Sequence, residues 1–169
     1  MASNPVIWSP DANRVRESAM YRFMRQAGFD NYESLYQWSV DDSPLFWEAV
    51  CDFCEIRFDK NADETLLRPD NIMDAGWFDG SQLNYAGNLL RYDGDTTAIV
   101  FFGENGARRE LSHTKLRSEV ASIAAGLKSS GVGKGDRVAG FLPNCPEAVV
   151  AMLATSSLGA IWSSCSPDF

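Results

Sequence analysis

Small polar residues near the end of the sequence are its strongest candidates for a ligand-binding site. The segment Ser163-Ser164-Cys165-Ser166-Pro167-Asp168 follows a predicted buried strand that begins at Gly159. Open parallel sheets bind their ligands outside the carboxyl ends of the strands, where small side chains leave room for them. An ordinary strand-to-helix connection, with Ser166 or Asp168 capping the next helix, explains the same residues equally well. The residues alone leave both interpretations open.

The glycine-rich segment Gly131–Asp136, which contains Lys134, has a composition that could cradle a phosphate group. Phosphate-binding loops follow a strand and open a helix, so that backbone N–H groups and the helix dipole face the anion. Here the predicted order is helix, loop, strand, which leaves no helix N-terminus to face a ligand. We therefore expect a glycine that ends a helix and a tight entry into the following strand.

The remaining reactive side chains lack partners at useful spacing. Cys51 and Cys54 form one C-x-x-C pair, but a zinc site needs four ligands and no second Cys or His pair follows at suitable spacing. His113 is the single histidine, and no carboxylate or nucleophile stands at a meaningful distance from it in the sequence. We expect structural thiols and a histidine near a helix cap, with no catalytic or metal-binding residue.

The composition indicates a globular chain with an acidic surface. Of 169 residues, 45% are hydrophobic and 12% aromatic, and 15 Lys and Arg against 23 Asp and Glu give a net charge of −8. Such a surface repels nucleic acid and anionic lipid. The longest apolar run, Ala148–Ala154, is far shorter than the about 20 residues that span a bilayer. With four cysteines and no secretion signal, we expect a cytoplasmic protein.

The first 92 residues are rich in aromatic side chains and short elements. Apolar residues at helical spacing predict a helix over Asn13–Ala27, ended by Gly28, and Ser43-Pro44 predicts the start of a second helix. The polar stretch Lys60–Asp74 shows no periodicity and is interpreted as a loop. An aromatic turn beginning at Trp77 then leads into a short helix.

From Asp93 onward the pattern becomes that of an α/β protein. Strand, helix and strand follow one another within about 27 residues after Asp136, which predicts a βαβ unit with two parallel strands. The predicted strand Asp136–Leu142 has a run of apolar residues that suggests burial on both faces. The predicted elements are strands at Ala98–Phe102, Arg108–Leu111 and Asp136–Leu142, helices at Ser112–Ser130 and Glu147–Leu158, and a last strand from Gly159.

Residues 135–160 resemble the opening of the large domain of the adenylate-forming enzymes, the superfamily of the acyl-CoA synthetases. The resemblance is carried by Gly135-Asp136-Arg137-Val138, Leu142-Pro143-Asn144-Cys145-Pro146-Glu147, Ala151-Met152-Leu153-Ala154 and Gly159-Ala160. These motifs recur across the whole superfamily and therefore indicate the class of enzyme rather than its substrate.

The first 92 residues resemble the N-terminal extension of acetyl-CoA and acetoacetyl-CoA synthetases. Trp77-Phe78-x-Gly80-x-x-Leu83-Asn84-Tyr85-Ala86, followed by Asn88-Leu89-Leu90, carries this likeness, although Gly87 stands where the family usually has glutamate. The segments Ser18–Met24, Leu35–Val40, Phe46–Val50 and Trp162–Phe169 are most similar to the acetoacetate branch.

The resemblance implies an α/β fold: the start of a ligase large domain at residues 93–169, with an incomplete parallel βαβ sheet, preceded by a helical, aromatic-rich extension at residues 1–92. The implied reaction joins acetoacetate to CoA through an acyl-adenylate and uses ATP, CoA and magnesium. Two alternatives remain, an acetate– or propionate–CoA ligase and a standalone non-catalytic interaction module. Neither nucleic acid nor a membrane is an expected partner.

The resemblance also assigns roles to a few residues. Ser163, Ser164 and Cys165 match a segment that lines the tunnel for the pantetheine arm of CoA. Asn84 and Tyr85 are expected to fix the extension onto the large domain. The family's Ser/Thr/Gly-rich phosphate loop ending in lysine lies after the region matched here. We therefore expect a truncated N-terminal portion that binds no cofactor, is inactive alone and tends to self-associate through uncovered apolar surface.

Overall fold

The computed structural model describes residues 6–68 and 70–167, which divide into two compact units. The first unit comprises the described residues up to Ile56 together with Asn61–Gly80, and the second comprises Arg57–Lys60 together with the described residues from Ser81 onward. Residues 81–92 therefore pack with the second unit, whereas the boundary between the two sequence domains, predicted at Tyr92, stays a prediction.

The first unit is a set of short helices that enclose a small aromatic core. Phe23, Met24 and Leu35 are buried, and the ring of Phe23 packs edge-on against Phe46 and Phe53 at centroid distances of 5.8 and 5.2 Å. The elements are α1 (Ala12–Glu17), α2 (Ala19–Gln26), α3 (Tyr32–Asp41) and α4 (Ser43–Phe53), followed by the antiparallel strands β1 (Glu64–Leu67) and β2 (Gly76–Asp79).

Three predictions for the first unit are wrong or incomplete. The single helix expected over Asn13–Ala27 breaks at Ser18, which is extended (ψ 148°) and accepts a hydrogen bond from Tyr21 N at 3.1 Å as the N-cap of α2. The predicted loop Lys60–Asp74 contains strand β1, and Pro69 of that loop lies outside the described residues. Helix α3, whose N-cap is Asn31, lies where no helix is predicted from the sequence.

The second unit has the α/β organisation that the sequence predicts. Its elements are α5 (Tyr85–Leu89), β3 (Thr97–Phe102), β4 (Arg108–Ser112), α6 (His113–Ser129), β5 (Arg137–Phe141), α7 (Pro146–Ser157) and β6 (Ile161–Cys165). Strands β3 and β4 form an antiparallel hairpin, and β5 and β6 pair in parallel across α7. The α/β fold class, with an incomplete parallel βαβ sheet, is confirmed.

Helices α6 and α7 pack together over the core of the second unit. The buried residues recur at helical spacing on both helices, and Ala86 of α5 completes the cluster. Ser112 caps α6 as predicted, accepting a hydrogen bond from Lys115 N at 3.2 Å. Burying these aliphatic side chains supplies the main driving force for folding of this unit. The core residues are Ala86, Leu116, Val120, Val150, Leu153 and Ala154.

The expectation that β5 is buried on both faces is wrong. Burial alternates along the strand, so that Val138 and Gly140 are half-buried while Ala139 and Phe141 are exposed. The described residues therefore cover only one face of the β5–β6 pair. Phe141 is 68% exposed, and Phe102 of the neighbouring hairpin is 70% exposed.

Candidate functional site

The three candidate residues Ser163, Ser164 and Cys165 lie within strand β6 and not after it. The parallel register pairs Ser163 with Ala139, Ser164 with Gly140 and Cys165 with Phe141. The prediction that the strand ends before Ser163 is therefore wrong, because hydrogen bonds to β5 carry the strand through small polar residues that have no strong strand preference of their own. Asp168, one of the two possible helix caps, lies outside the described residues.

The side chains of these three residues alternate between the two faces of the sheet. Successive side chains of a strand point to opposite faces, and paired residues of neighbouring strands share a face. Ser163 and Cys165 therefore share one face with Ala139, and Ser164 lies on the other face with Gly140. All three candidates are exposed, and Cys165 is a free thiol.

The two faces offer different amounts of space. On the face of Ser163, the small side chains of Ala139, Ser163 and Cys165 form an exposed surface, which we call the small-residue face. The exposed ring of Phe141, the strand partner of Cys165, borders this surface on the same face. On the face of Ser164, the side chains of Leu142 and Trp162 crowd the space above Gly140. A narrow extended ligand therefore fits along the small-residue face better than beside Ser164.

Helix α7 begins at the same edge of the sheet as the carboxyl end of β5. Pro146 occupies its first turn, and Glu147 of that turn forms an ion pair with Arg109 of β4, with Nη2 and Oε1 at 2.7 Å. The hydrogen bond from Arg109 holds the pKa of the Glu147 carboxyl below its usual value. This pair ties the β3–β4 hairpin to the start of α7.

Replacing Arg109 by glutamine is expected to cause a small loss of stability at neutral pH, because both partners of the ion pair are about half exposed. Since the folded-state pKa of Glu147 is lowered, the pair contributes stability above the carboxyl's unfolded pKa and loses it as the pH falls through the folded pKa. Urea unfolding of the wild type and of Arg109→Gln, from pH 7 down to pH 3, checks this. A difference that persists undiminished at pH 3 would contradict it.

The turn that leads into β6 is held by the side chain of Asn84. Its Nδ2 donates to the carbonyl oxygens of Ser156 and Ser157 at 3.3 and 3.1 Å, and its Oδ1 accepts from Gly87 N at 2.8 Å. One amide therefore caps the start of α5 and the end of α7 together. These bonds lie within the second unit, and the role expected of Asn84 and Tyr85 in fixing the extension onto the large domain stays a prediction.

The glycine-rich segment Gly131–Asp136 ends a helix, as predicted. Gly131 has a φ of +91°, and Val132 N donates to Leu127 O at 3.0 Å, the bond of a helix C-terminal glycine motif. Asp136 accepts from Gly133 N at 2.8 Å and closes the loop on itself. The loop enters β5 directly, so that no helix begins there to face an anion.

The other reactive side chains lie close to helix ends. Cys51 lies in α4, where burial and the neighbouring Asp52 raise the pKa of its thiol, and Cys54 ends the same helix. His113 begins α6, with its ring 5.6 Å from that of Tyr92. Within residues 6–68 and 70–167, no cluster of three Cys, His, Asp or Glu side chains could hold a metal ion. In the same ranges, every helix is too short or too polar to cross a membrane.

Two family models match adjoining parts of the chain. The model described as "Acetyl-coenzyme A synthetase N-terminus" matches residues 32–89, and the model described as "AMP-binding enzyme" matches residues 88–169. The change from one to the other falls close to the predicted boundary at Tyr92.

Several curated proteins are similar to this chain over nearly its whole length. The acetoacetyl-coenzyme A synthetase of Rhizobium meliloti is 39% identical over all of this chain and 27% of its own length. The acetoacetyl-CoA synthetase of Danio rerio is 43% identical over 97% of this chain and 25% of its own. The solved structure of the acetoacetyl-CoA synthetase from Streptomyces lividans matches 96% of this chain with a TM-score of 0.86 and 39% identity. The chain spans about a quarter of the length of these relatives.

Proposed function

We propose that the chain forms the N-terminal quarter of an ATP-dependent acetoacetate–CoA ligase, because residues 88–169 match the model described as "AMP-binding enzyme" and nearly the whole chain is similar to acetoacetyl-CoA synthetases. The observation that carries the proposal is 39–43% identity to several such enzymes over 97–100% of this chain. The TM-score of 0.86 to the solved enzyme supports it at the level of the fold.

The reaction proceeds in two steps in such a ligase. The carboxylate of the acid attacks the α-phosphate of ATP to give an acyl-adenylate and pyrophosphate, and the CoA thiol then displaces AMP to give the thioester. The first step turns a poor acyl donor into one with a good leaving group. Magnesium, when bound, offsets charge on the phosphates during that step.

The described residues do not fit a magnesium ion or a phosphate-binding loop. They contain no set of acidic ligands for magnesium, and their glycine-rich segment enters a strand rather than a helix. We therefore propose that the chain by itself neither adenylates an acid nor forms a thioester.

The residues at the carboxyl end of β6 fit the approach of CoA. We assign the small-residue face, with Ser163 and Cys165, to one wall of the path taken by the pantetheine arm. The side chains there are small and exposed, so that a narrow thioether arm can pass close to the backbone. Ser164, on the opposite face, contributes backbone to the same strand.

We also propose a cytoplasmic location, which the four free cysteines support, since free thiols are typical of reducing compartments. The exposed Phe102 and Phe141 support the proposal that the isolated chain self-associates. The acidic net charge of −8 argues against nucleic acid and anionic membranes as partners.

The test is made on the whole protein encoded by the gene that carries these residues. It is expected to release AMP only when acetoacetate, ATP and CoA are all present, with each omission as a control. Faster turnover with acetate or propionate would replace the acetoacetate assignment by the alternative ligase. No AMP release with any of the three acids would overturn the proposal and favour a non-catalytic interaction module.

A further inference from the structure

The backbone of Gly140 lies directly beneath the aromatic ring of Trp162. A β-carbon at position 140 would stand 2.5 and 2.9 Å from Cη2 and Cζ2 of Trp162, and 2.4 Å from Cδ2 of Leu142. Carbon atoms in contact prefer separations of about 3.5–4.0 Å. Glycine is therefore required at position 140 by the close approach of neighbouring side chains.

This contact crosses from one strand of the parallel pair to the other. Trp162 of β6 pairs with Val138 of β5, and its ring reaches diagonally to Gly140, the partner of Ser164. Trp162 also immediately precedes Ser163 in the strand. The ring therefore supports β6 on the face opposite Ser163 and Cys165, at the level where these residues begin.

The partners of the contact differ in how easily they can yield. The end of the Leu142 side chain can change rotamer, whereas the indole of Trp162 is one rigid plane that turns only about two side-chain torsions. An added methyl group at position 140 must therefore displace the whole indole or separate the two strands. Separation of the strands moves the backbone that carries Ser163, and displacement of the indole removes the packing that supports β6 beside it.

We propose that the packing of Trp162 on Gly140 is a positioning device that sets where the carboxyl end of β6 presents Ser163 and Cys165 to CoA. This inference rests on the proposed function, because it assigns the contact to the thioester-forming step of that ligase. Gly140 and Trp162 act through the strand from its opposite face and are positioning residues.

Gly140→Ala in the whole protein tests the proposal. A misplacement of about 1 Å can cost as much as about 100-fold in rate, and we expect the KM for CoA to rise about tenfold. Acetoacetate-dependent exchange of pyrophosphate into ATP, which needs no CoA, is expected to stay within about twofold of wild type, because it does not use the small-residue face.

A second substitution distinguishes positioning from general damage. Trp162→Phe in the Gly140→Ala background replaces the indole by a smaller ring. It is expected to bring the KM for CoA most of the way back to the wild-type value. The control Gly126→Ala lies in α6, where an added β-carbon meets nothing within 4 Å, and is expected to leave both half-reactions unchanged. Thermal unfolding of each variant confirms that the proteins compared are folded.

The outcomes separate this inference from the proposed function. A wild-type protein without ligase activity overturns the proposed function and this inference with it. If the wild type is active, three results would overturn the inference alone. Gly140→Ala could lose both half-reactions equally, it could keep the wild-type KM for CoA, or Trp162→Phe could fail to rescue it. A selective rise in KM for CoA that the second substitution reverses supports it.

Discussion

Asn84→Ala is expected to lower the free energy of unfolding of the chain by about 2 kcal/mol, the sum of a lost helix cap and lost hydrogen bonds to two carbonyl groups. The amide of Asn84 accepts from Gly87 N and donates to Ser156 O and Ser157 O, and an alanine methyl group replaces none of these bonds. Urea unfolding followed by circular dichroism measures the loss.

Asn84→Asp is the matched variant for this prediction. Its carboxylate can still accept from Gly87 N, but it cannot donate, and its negative charge faces the carbonyl oxygens that end α7. We expect Asn84→Asp to be at least as destabilising as Asn84→Ala at pH 7. If the free energy of unfolding of Asn84→Ala lies within about 0.5 kcal/mol of the wild-type value, which is the spread of ordinary surface substitutions, the capping of α5 and α7 by Asn84 contributes nothing.

Ser163→Phe in the whole protein is expected to slow thioester formation by roughly 10- to 100-fold, the scale of a ligand displaced by about 1 Å. The phenyl ring would fill the small-residue face beside Ala139 and Cys165 and obstruct the pantetheine arm. Adenylation is expected to be nearly unchanged, because that half-reaction does not use the small-residue face. Single-turnover thioester formation and pyrophosphate exchange measure the two half-reactions separately.

Ser129→Phe is the control for this prediction, because it adds the same ring at an exposed serine of α6 instead of β6. We expect it to slow the thioester step less than Ser163→Phe. An equal effect of both substitutions on the thioester step would contradict a path along the small-residue face. An equal loss of both half-reactions by Ser163→Phe would remove this residue from the CoA path.

The second unit was largely predictable because its signals are local. Ser112 stands directly before an amphipathic run and caps α6, and Gly131 supplies the positive φ that ends that helix. A strand, a helix and a strand in close succession left a parallel pair as the expected arrangement. The family resemblance then identified the class of protein from short motifs.

The misses arise where distant contacts or competing local bonds decide the structure. Ser18 lies within a run of apolar residues at helical spacing that predicts one continuous helix, yet its hydroxyl caps α2 and breaks the run. β1 forms because Leu66 and Leu67 find partners in Trp77 and Gly76, about ten residues later.

The candidate site shows the same limit. Which face Ser163 occupies depends on its register with Ala139, a residue 24 positions earlier, and no local pattern specifies that pairing. The role of Gly140 was also missed, although a glycine inside an apolar strand signals a close approach by other atoms. Only the structure identifies the ring of Trp162 as the group that approaches it.

Functional replacement tests the central claim most directly. A chimera joins this chain to the last three quarters of the Rhizobium meliloti acetoacetyl-coenzyme A synthetase, and acetoacetate-dependent exchange of pyrophosphate into ATP is measured for the chimera and for the chain alone. We predict exchange by the chimera and none by the chain alone. Exchange catalysed by the 169-residue chain itself, or a folded chimera that catalyses none, would contradict the account.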